Sequence, residues 1–402
     1  MRLTAAAARS LMVTSLGLGE RSPAPAEKAD LLTAIRRMGA LQIDTINVVA
    51  RSPYLVLFTR LGPYDSRWLD ELLAEGEVFE YWAHEASFLP REDYPLFRRL
   101  QIDRGGWMRH WIGEHPDVIA RVLEHVRERG ATRSADFVRT DGKAGGWWSW
   151  KPEKRALEAL FATGDLMVSR RQSFQRVYDL RERVRPDWSD GDTPTFEEVQ
   201  RTLALRAVRC LGVTTARWVP DYFRMRDKAD VPALLEHLAD ERHLRVVSVE
   251  GWPAPAYVHR DNWALAERAA DGDLSPTLTT LLSPFDPLVW HRERVRDTFG
   301  FDFKIECYTP AAQRRYGYYL LPILHRGALV GRLDAKAHRK EGRFELRALY
   351  LEPGVEPTAA LADAVGHAIA ECAAWHGTPE VEIVRSELPG LGAANKSLQG
   401  VL

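Results

Sequence analysis

The sequence predicts an α+β fold in which three helix-then-hairpin units in tandem precede a C-terminal antiparallel, barrel-like sheet. Three observations carry this. A Leu-bearing amphipathic helix, a break and two short strand-like runs recur three times before residue 265. Further helical periodicity precedes each copy. After about residue 280 the helical period gives way to polar–apolar alternation with turn signals. Helices followed by a two-stranded wing make a winged helix-turn-helix. Residues 1–92, 93–190 and 191–268 therefore read as three such units, and 278–402 as a β-barrel domain with a closing helix.

The first unit starts with helical segments at 3–17 and 27–38. Its N-terminus reads as an amphipathic helix rather than a signal peptide, because Arg9 interrupts the apolar run. The repeated pattern then spans 66–90, with Leu69, Leu72 and Leu73 at helical spacing and Gly76 at the break, a residue suited to the left-handed position after a helix. The second unit has a helix at 117–130, Ser134 as N-cap of a short helix through Val138, and the pattern at 154–180 with Leu157, Leu160, Phe161 and Gly164. In the third, 195–211 opens with Thr195 and Glu198 three apart, as in a capping box. Its pattern covers 231–260, with Leu234, Leu235 and Leu238 and a break near Arg242. The breaks lie roughly 80–90 residues apart, too far for a solenoid period. AADGDLSPT (269–277) reads as a linker. Beyond it FDFKIECYTP, RRYGYYLLPILHRGALVGRLDAKAHRK and GRFELRALYLEPG alternate, with hairpin turns expected at HRGAL and RKEGRF, and a helix at about 357–375 closes the domain.

Bulk composition narrows the function classes. A net charge of −1 over 402 residues does not mark an overtly basic nucleic-acid binder. The average hides an asymmetry: residues 91–185 hold 20 Lys/Arg against 14 Asp/Glu, whereas residues 1–90 hold 9 against 11. A basic middle permits local phosphate contact, and a solvated Arg-rich surface fits the same numbers. Cys210, Cys307 and Cys372 lie far apart without a CxxC, which argues against a disulfide framework or a zinc ribbon and fits a reducing cytoplasm. No run of 18 apolar residues suggests a membrane span.

Several positions carry chemistry. Gln42 and Asp44 stand two apart among apolar neighbours in LQIDTINVV, so in an extended chain their side chains point to one side. Asp44 could cap a turn through DTIN, or serve as a base with Gln42 as a neutral donor and acceptor; the motif alone leaves both open. His84 in YWAHEAS is a candidate cleft residue or a structural hydrogen-bonder. Beside it, Tyr81 and Trp82 suit a core face better than base stacking. Arg170, Arg171, Gln172 and Arg176 in VSRRQSFQR sit where a wing tip would meet phosphates, or where charge would blunt a sheet edge. Trp147, Trp148 and Trp150 precede Lys151 and Pro152, a helix start whose N–H groups suit a phosphate. In SPFDPLVWHRERV, Asp286 reads as fold-stabilising, while Arg292 or Arg294 could meet a DNA backbone. His84, His259 and His291 show no metal-ligand spacing, so no metal is expected.

LQIDTINVVARSPYLVLFTRLGPYD, YWAHEASFLP, GGWWSWKPEKRALEALFATGDLMVSRR, SPFDPLVWHRERVRDTFGFDFKIECYTP and RRYGYYLLPIL together resemble the YcaQ-type, AlkZ-related winged-helix family of crosslink-repair DNA glycosylases. The resemblance runs nearly end to end. It implies three tandem winged helices, a C-terminal β-barrel, and excision of alkylated purines, including unhooking of interstrand crosslinks. The family signature is Gln–apolar–Gln or Gln–apolar–Asp. Gln42–Ile43–Asp44 places this chain with the Asp-bearing branch, which favours a broader substrate range than the self-resistance role of the Gln-bearing one. Asp44 would then stabilise the developing sugar cation and accept a proton from water, with Gln42 orienting that water.

The expected enzyme is monofunctional and needs no cofactor, because no Lys lies beside Gln42 and Asp44 in sequence to form a Schiff base. Its expected partner is double-stranded DNA carrying alkylated purines or crosslinks. A monomer suffices, and the expected location is the cytoplasm, at the nucleoid when DNA-bound. The competing reading is a winged-helix transcriptional regulator without catalysis, since fold does not fix function.

Overall fold

Helices lead and hairpins follow along the first two thirds of the chain. The structure, a computed structural model, describes residues 1–104, 106–138, 150–225 and 228–391. It is of mixed α+β class, and its C-terminal sheet curls into a half-barrel. The chain divides into two compact bodies: Met1–Asp65, Ala83–Glu85 and the described residues from Leu203 onward, and Ser66–Trp82 with Ala86–Thr202.

In the second body the helix Arg67–Ala74 buries Leu69, Leu72 and Leu73, as their spacing predicts. Strands Val78–Ala83 and Glu85–Pro90 follow as hydrogen-bonded neighbours. Helix Pro116–Arg129 matches the expected helix at 117–130, but the segment at Ser134 is only a 3-10 turn, Ser134–Asp136. Helix Pro152–Thr163 leads to the antiparallel hairpin Leu166–Gln172 and Gln175–Leu180. Between them Gly164 is required twice. Its φ is +78°, and a β-carbon there would collide with the side chains of Gln101 and Arg98. Tyr81, Phe97, Phe161 and Tyr178 form an aromatic core with ring centroids 5.8–6.4 Å apart.

The first body is organised by the helix Ala5–Ser15, N-capped by the Thr4 hydroxyl, which accepts from the Ala7 N–H at 3.1 Å. One set of its side chains, Ala7, Ala8 and Leu11, packs with Val247, Val249, Ala256 and Val258 of the third hairpin. Another, Met12 and Val13, packs with Leu282, Leu288, Phe301 and Leu320 of the C-terminal region. Ahead of it, Arg2–Leu3 adds a short parallel strand to Leu244–Val249. The third hairpin, Leu244–Val249 with Ala256–His259, is antiparallel as expected, and Arg242 before it takes a left-handed φ of 62°. In the second body the predicted capping box is formed: Glu198 accepts the Thr195 N–H at 2.7 Å, and Thr195 Oγ1 accepts the Glu198 N–H at 3.2 Å.

The C-terminal sheet runs Thr279–Leu281, Leu320–His325, Ala328–His338, Arg343–Leu351, Glu380–Ile383. Its first three pairings are antiparallel and the last is parallel. HRGAL makes the expected tight turn, with Arg326 and Gly327 both at positive φ. Helix Ala359–Trp375 follows strand Arg343–Leu351, close to the range expected from sequence. One segment departs from expectation. FDFKIECYTP alternates like a strand but forms none, because Phe301 and Phe303 turn inward to the core while the backbone finds no ladder partner. Among the described residues no helix is long and apolar enough to cross a membrane.

Candidate active site

Gln42 ends the short strand Leu41–Gln42 and Asp44 begins the irregular loop that leads into helix Ser52–Leu61. Gln42 is 8% exposed and Asp44 is half-buried. Asp44 Oδ1 accepts the Ile46 N–H at 2.8 Å, so the carboxylate does fold a local turn, as its place before DTIN suggested. That bond occupies one oxygen, and no ion pair reaches Asp44 among the described residues. Burial raises its pKa, against the lowering effect of the Ile46 bond.

The loop bearing Asp44 is held at both ends. The Ser52 hydroxyl donates to the Gln42 carbonyl at 3.4 Å, and Ser283 Oγ donates to Ser52 Oγ at 3.3 Å. Further along, the Ala337 N–H donates to the Val48 carbonyl at 2.8 Å, and Arg339 binds Asn47 Oδ1 at 3.0 Å as well as the Val49 carbonyl. The same strand, Ala328–His338, also holds the segment before Leu320: Asp334 Oδ1 accepts the Tyr319 N–H at 3.3 Å.

That second segment, residues 306–319, brings three groups within electrostatic reach of Asp44. Burial pushes up the Cys307 thiol and the Tyr319 phenol; partial desolvation and the neighbouring Cys307 raise the Tyr308 phenol, whose side chain is otherwise largely exposed; the Asp44 carboxylate adds to each shift. Tyr319 is fully buried and its hydroxyl, near Ser283, meets no partner at hydrogen-bonding geometry. Glu306 clasps the segment by accepting three backbone N–H groups, from Arg315 at 3.2 Å, Tyr316 at 2.9 Å and Gly317 at 3.1 Å. Burial alone would raise its pKa, but these three bonds outweigh it and leave the pKa lowered. The sequence alone does not mark Cys307, Tyr308 or Tyr319 as neighbours of Asp44. Their only signal was membership of motifs ECYTP and RRYGYY, some 260 residues from Asp44.

The other sequence-derived candidates divide cleanly. His84 is buried, with Nδ1 3.0 Å from the Asp221 carbonyl. A carbonyl only accepts, so Nδ1 carries the proton and Nε2 faces Arg224 Nη2 at 3.4 Å. Burial first, then the Arg224 charge, lowers its pKa to about 4. His84 is therefore a neutral structural hydrogen-bonder rather than a cleft base. Tyr81 is buried and donates to the Ala162 carbonyl at 2.8 Å, a core role; Trp82, in contrast, is exposed.

The arginines of the second hairpin split. Glu80, only 3% exposed, accepts from Arg171 at 2.5 and 2.8 Å and from Arg176 at 3.0 Å. Arg176 also binds Glu158 at 3.0 Å, and Arg171 braces the turn by donating to the Phe174 carbonyl at 2.6 Å. Those two guanidiniums are committed inside the fold, which corrects their reading as phosphate contacts. Arg170 and Gln172 remain exposed. The half-buried Lys151 donates one ammonium N–H to the Phe137 carbonyl at 2.7 Å. Trp150 is exposed with the Lys154 ammonium 4.1 Å over its ring, while Trp147 and Trp148 lie outside the described residues. Asp286 is fully buried and accepts from Arg60 at 2.6 and 3.1 Å, the fold-stabilising role expected of it. Arg294 is also fully buried, so of the two arginines in that stretch only Arg292 faces solvent.

A family model for DNA glycosylases, described as AlkZ-like, matches residues 35–375. Among solved structures the fold is similar to that of the Streptomyces sahachiroi DNA glycosylase AlkZ. The TM-score is 0.61 at 17% sequence identity, over 96% of this chain and 100% of that one.

Proposed function

The chain belongs to the AlkZ-like DNA glycosylase family and is a DNA glycosylase; from that premise we propose that it hydrolyses the N-glycosidic bond of N7- and N3-alkylated purines and unhooks interstrand crosslinks. Alkylation at N7 or N3 makes the purine a cation and a good leaving group. Such a substrate needs little acid assistance. It needs an anion beside the sugar as the C1′–N9 bond breaks, and a placed water to close the vacancy at C1′. Asp44 supplies the anion and takes the proton of the attacking water, and Gln42 orients that water. The purine leaves as a neutral base, and water oxygen becomes the new substituent on C1′. No covalent enzyme intermediate forms, so the enzyme is monofunctional.

The observation that carries the reading is Asp44 itself. A half-buried carboxylate with no ion pair among the described residues, and a pKa raised by burial, is unusual in a purely structural position. Its single bond to Ile46 leaves an oxygen for water. The helix-and-hairpin units act as winged helices on duplex DNA in this reading, with exposed Arg170, Gln172 and Arg292 contacting phosphates. It works as a monomer in the cytoplasm. A regulator without catalysis, open from the residues alone, does not fit membership of a glycosylase family.

The test uses duplexes bearing one N7-methylguanine or one N7–N7 alkyl crosslink. After incubation, alkali converts abasic sites to strand breaks. Breaks at the lesion and loss of the crosslinked band support the reading; intact strands on every alkylated duplex refute it.

A further inference from the structure

Tyr308 is 79% exposed, yet the segment that carries it is tightly held. Three N–H groups converge on Glu306, Arg314 Nε donates to the Thr309 carbonyl at 2.9 Å, and Tyr319 is tied to Asp334. The same strand anchors the Asp44 loop through Ala337, three positions beyond Asp334. An aromatic ring is thus kept in water on a braced support, in a segment that shares its anchoring strand with the Asp44 loop.

Neighbouring tyrosines use their rings differently. Tyr316 has the guanidiniums of Arg315 and Arg332 at 4.7 and 4.5 Å, and Tyr318 has Arg314 at 4.8 Å. Among the described residues no ring and no cation lies over Tyr308. The electron-rich face of a tyrosine attracts cations, and a planar cation gains stacking as well. The Asp44 loop and the segment 306–319 thus offer a carboxylate and an open aromatic face, and among the described residues no cationic side chain pairs with either.

We propose that Tyr308 stacks on the positively charged alkylpurine held at Asp44, so that the site selects cationic bases over neutral ones of the same shape. This rests on the glycosylase reading of the Asp44 site given above. It adds the specificity device: the ring recognises the charge on the base, and the carboxylate the charge that develops on the sugar. Tyr308 touches the base and takes no proton.

The test measures equilibrium binding by the full-length protein to three duplexes. One carries 2′-fluoroarabino-N7-methylguanine, a cation whose fluorine blocks cleavage. One carries neutral 7-methyl-7-deazaguanine, and one is undamaged. Tyr308→Phe keeps the aromatic face, whereas Tyr308→Leu keeps apolar bulk and removes it. Wild type and Tyr308→Phe are expected to prefer the cationic duplex over the neutral one, with Tyr308→Leu losing about 10-fold on the cationic duplex only. Because Tyr308 is exposed, folding should be unaffected, and melting temperatures check this. Equal binding of both methylated duplexes by wild type, or an equal loss on both in Tyr308→Leu, overturns the proposal. If wild type also fails to excise N7-methylguanine, the glycosylase reading of Asp44 falls with it; if excision persists, only the role of Tyr308 falls.

Discussion

The imidazole of His84 lies flat on the indole of Trp290, with centroids 4.0 Å apart and planes 2° from parallel. Burial in this stack first, and then the Arg224 charge at Nε2, keep His84 neutral with its pKa lowered to about 4, against the raising effect of the Asp221 carbonyl at Nδ1. Half-buried His376 is likewise lowered to about 4, by desolvation first and then by the Arg339 charge. Between about pH 6.5 and 4 the unfolded chain binds more protons at these two positions than the folded one. Stability is therefore full above that window and falls as pH drops through it, by on the order of 3 kcal/mol per histidine at most. Denaturant melts from pH 7.5 to 4.5 should show this loss, and His84→Gln should flatten it. An unchanged pH slope in His84→Gln would show that His84 does not contribute.

Glu80 is the hub of a second, unrelated prediction. Removing its charge in Glu80→Gln leaves Arg171 and Arg176 short of a buried counter-ion. The expected loss is about 3–5 kcal/mol, the scale for breaking one partner out of a buried pair. Urea denaturation measures it. A loss under about 1 kcal/mol would mean that the arginines turn out to solvent instead.

Exposed cations should behave in the opposite way. Arg170→Ala and Arg292→Ala should leave the melting temperature unchanged. Each should lower the slope of log affinity against log salt for duplex DNA by about 1, as for one lost phosphate contact. An unchanged salt slope removes that residue from the DNA-contacting set.

The contrast between Arg170 and Arg171 shows where sequence reading stops. Both sit in one strand, and their period-2 alternation says only that they face opposite sides. That Arg171 meets Glu80, 91 positions upstream, is not legible in any local pattern. Local signals did survive: the Thr195–Glu198 capping box, the HRGAL turn and the hairpins all rest on neighbours in sequence or on strong apolar periodicity. What was missed is long-range. The helix Ala5–Ser15 packs with two regions more than 200 residues away, and Tyr308 and Tyr319 come to Asp44 from the far end of the chain. Alternation misled at Phe301 and Phe303, since inward-facing residues two apart need no strand partner.

Tyr319 separates stability from packing chemistry. Its hydroxyl is buried without a partner at hydrogen-bonding geometry, so Tyr319→Phe removes a group that burial penalises. The melting temperature should stay level or rise, with a gain of no more than about 1 kcal/mol. A marked destabilisation would reveal a bond from the phenol, to Ser283 or through a bridging water.

The most direct test of the account is the single-turnover rate of N7-methylguanine excision by Asp44→Asn beside the wild type. The Asn side chain can still accept the Ile46 N–H, so the loop and the melting temperature should be preserved. The account predicts a rate lower by on the order of 10²-fold or more at neutral pH. A folded Asp44→Asn protein that excises the base as fast as wild type would contradict it.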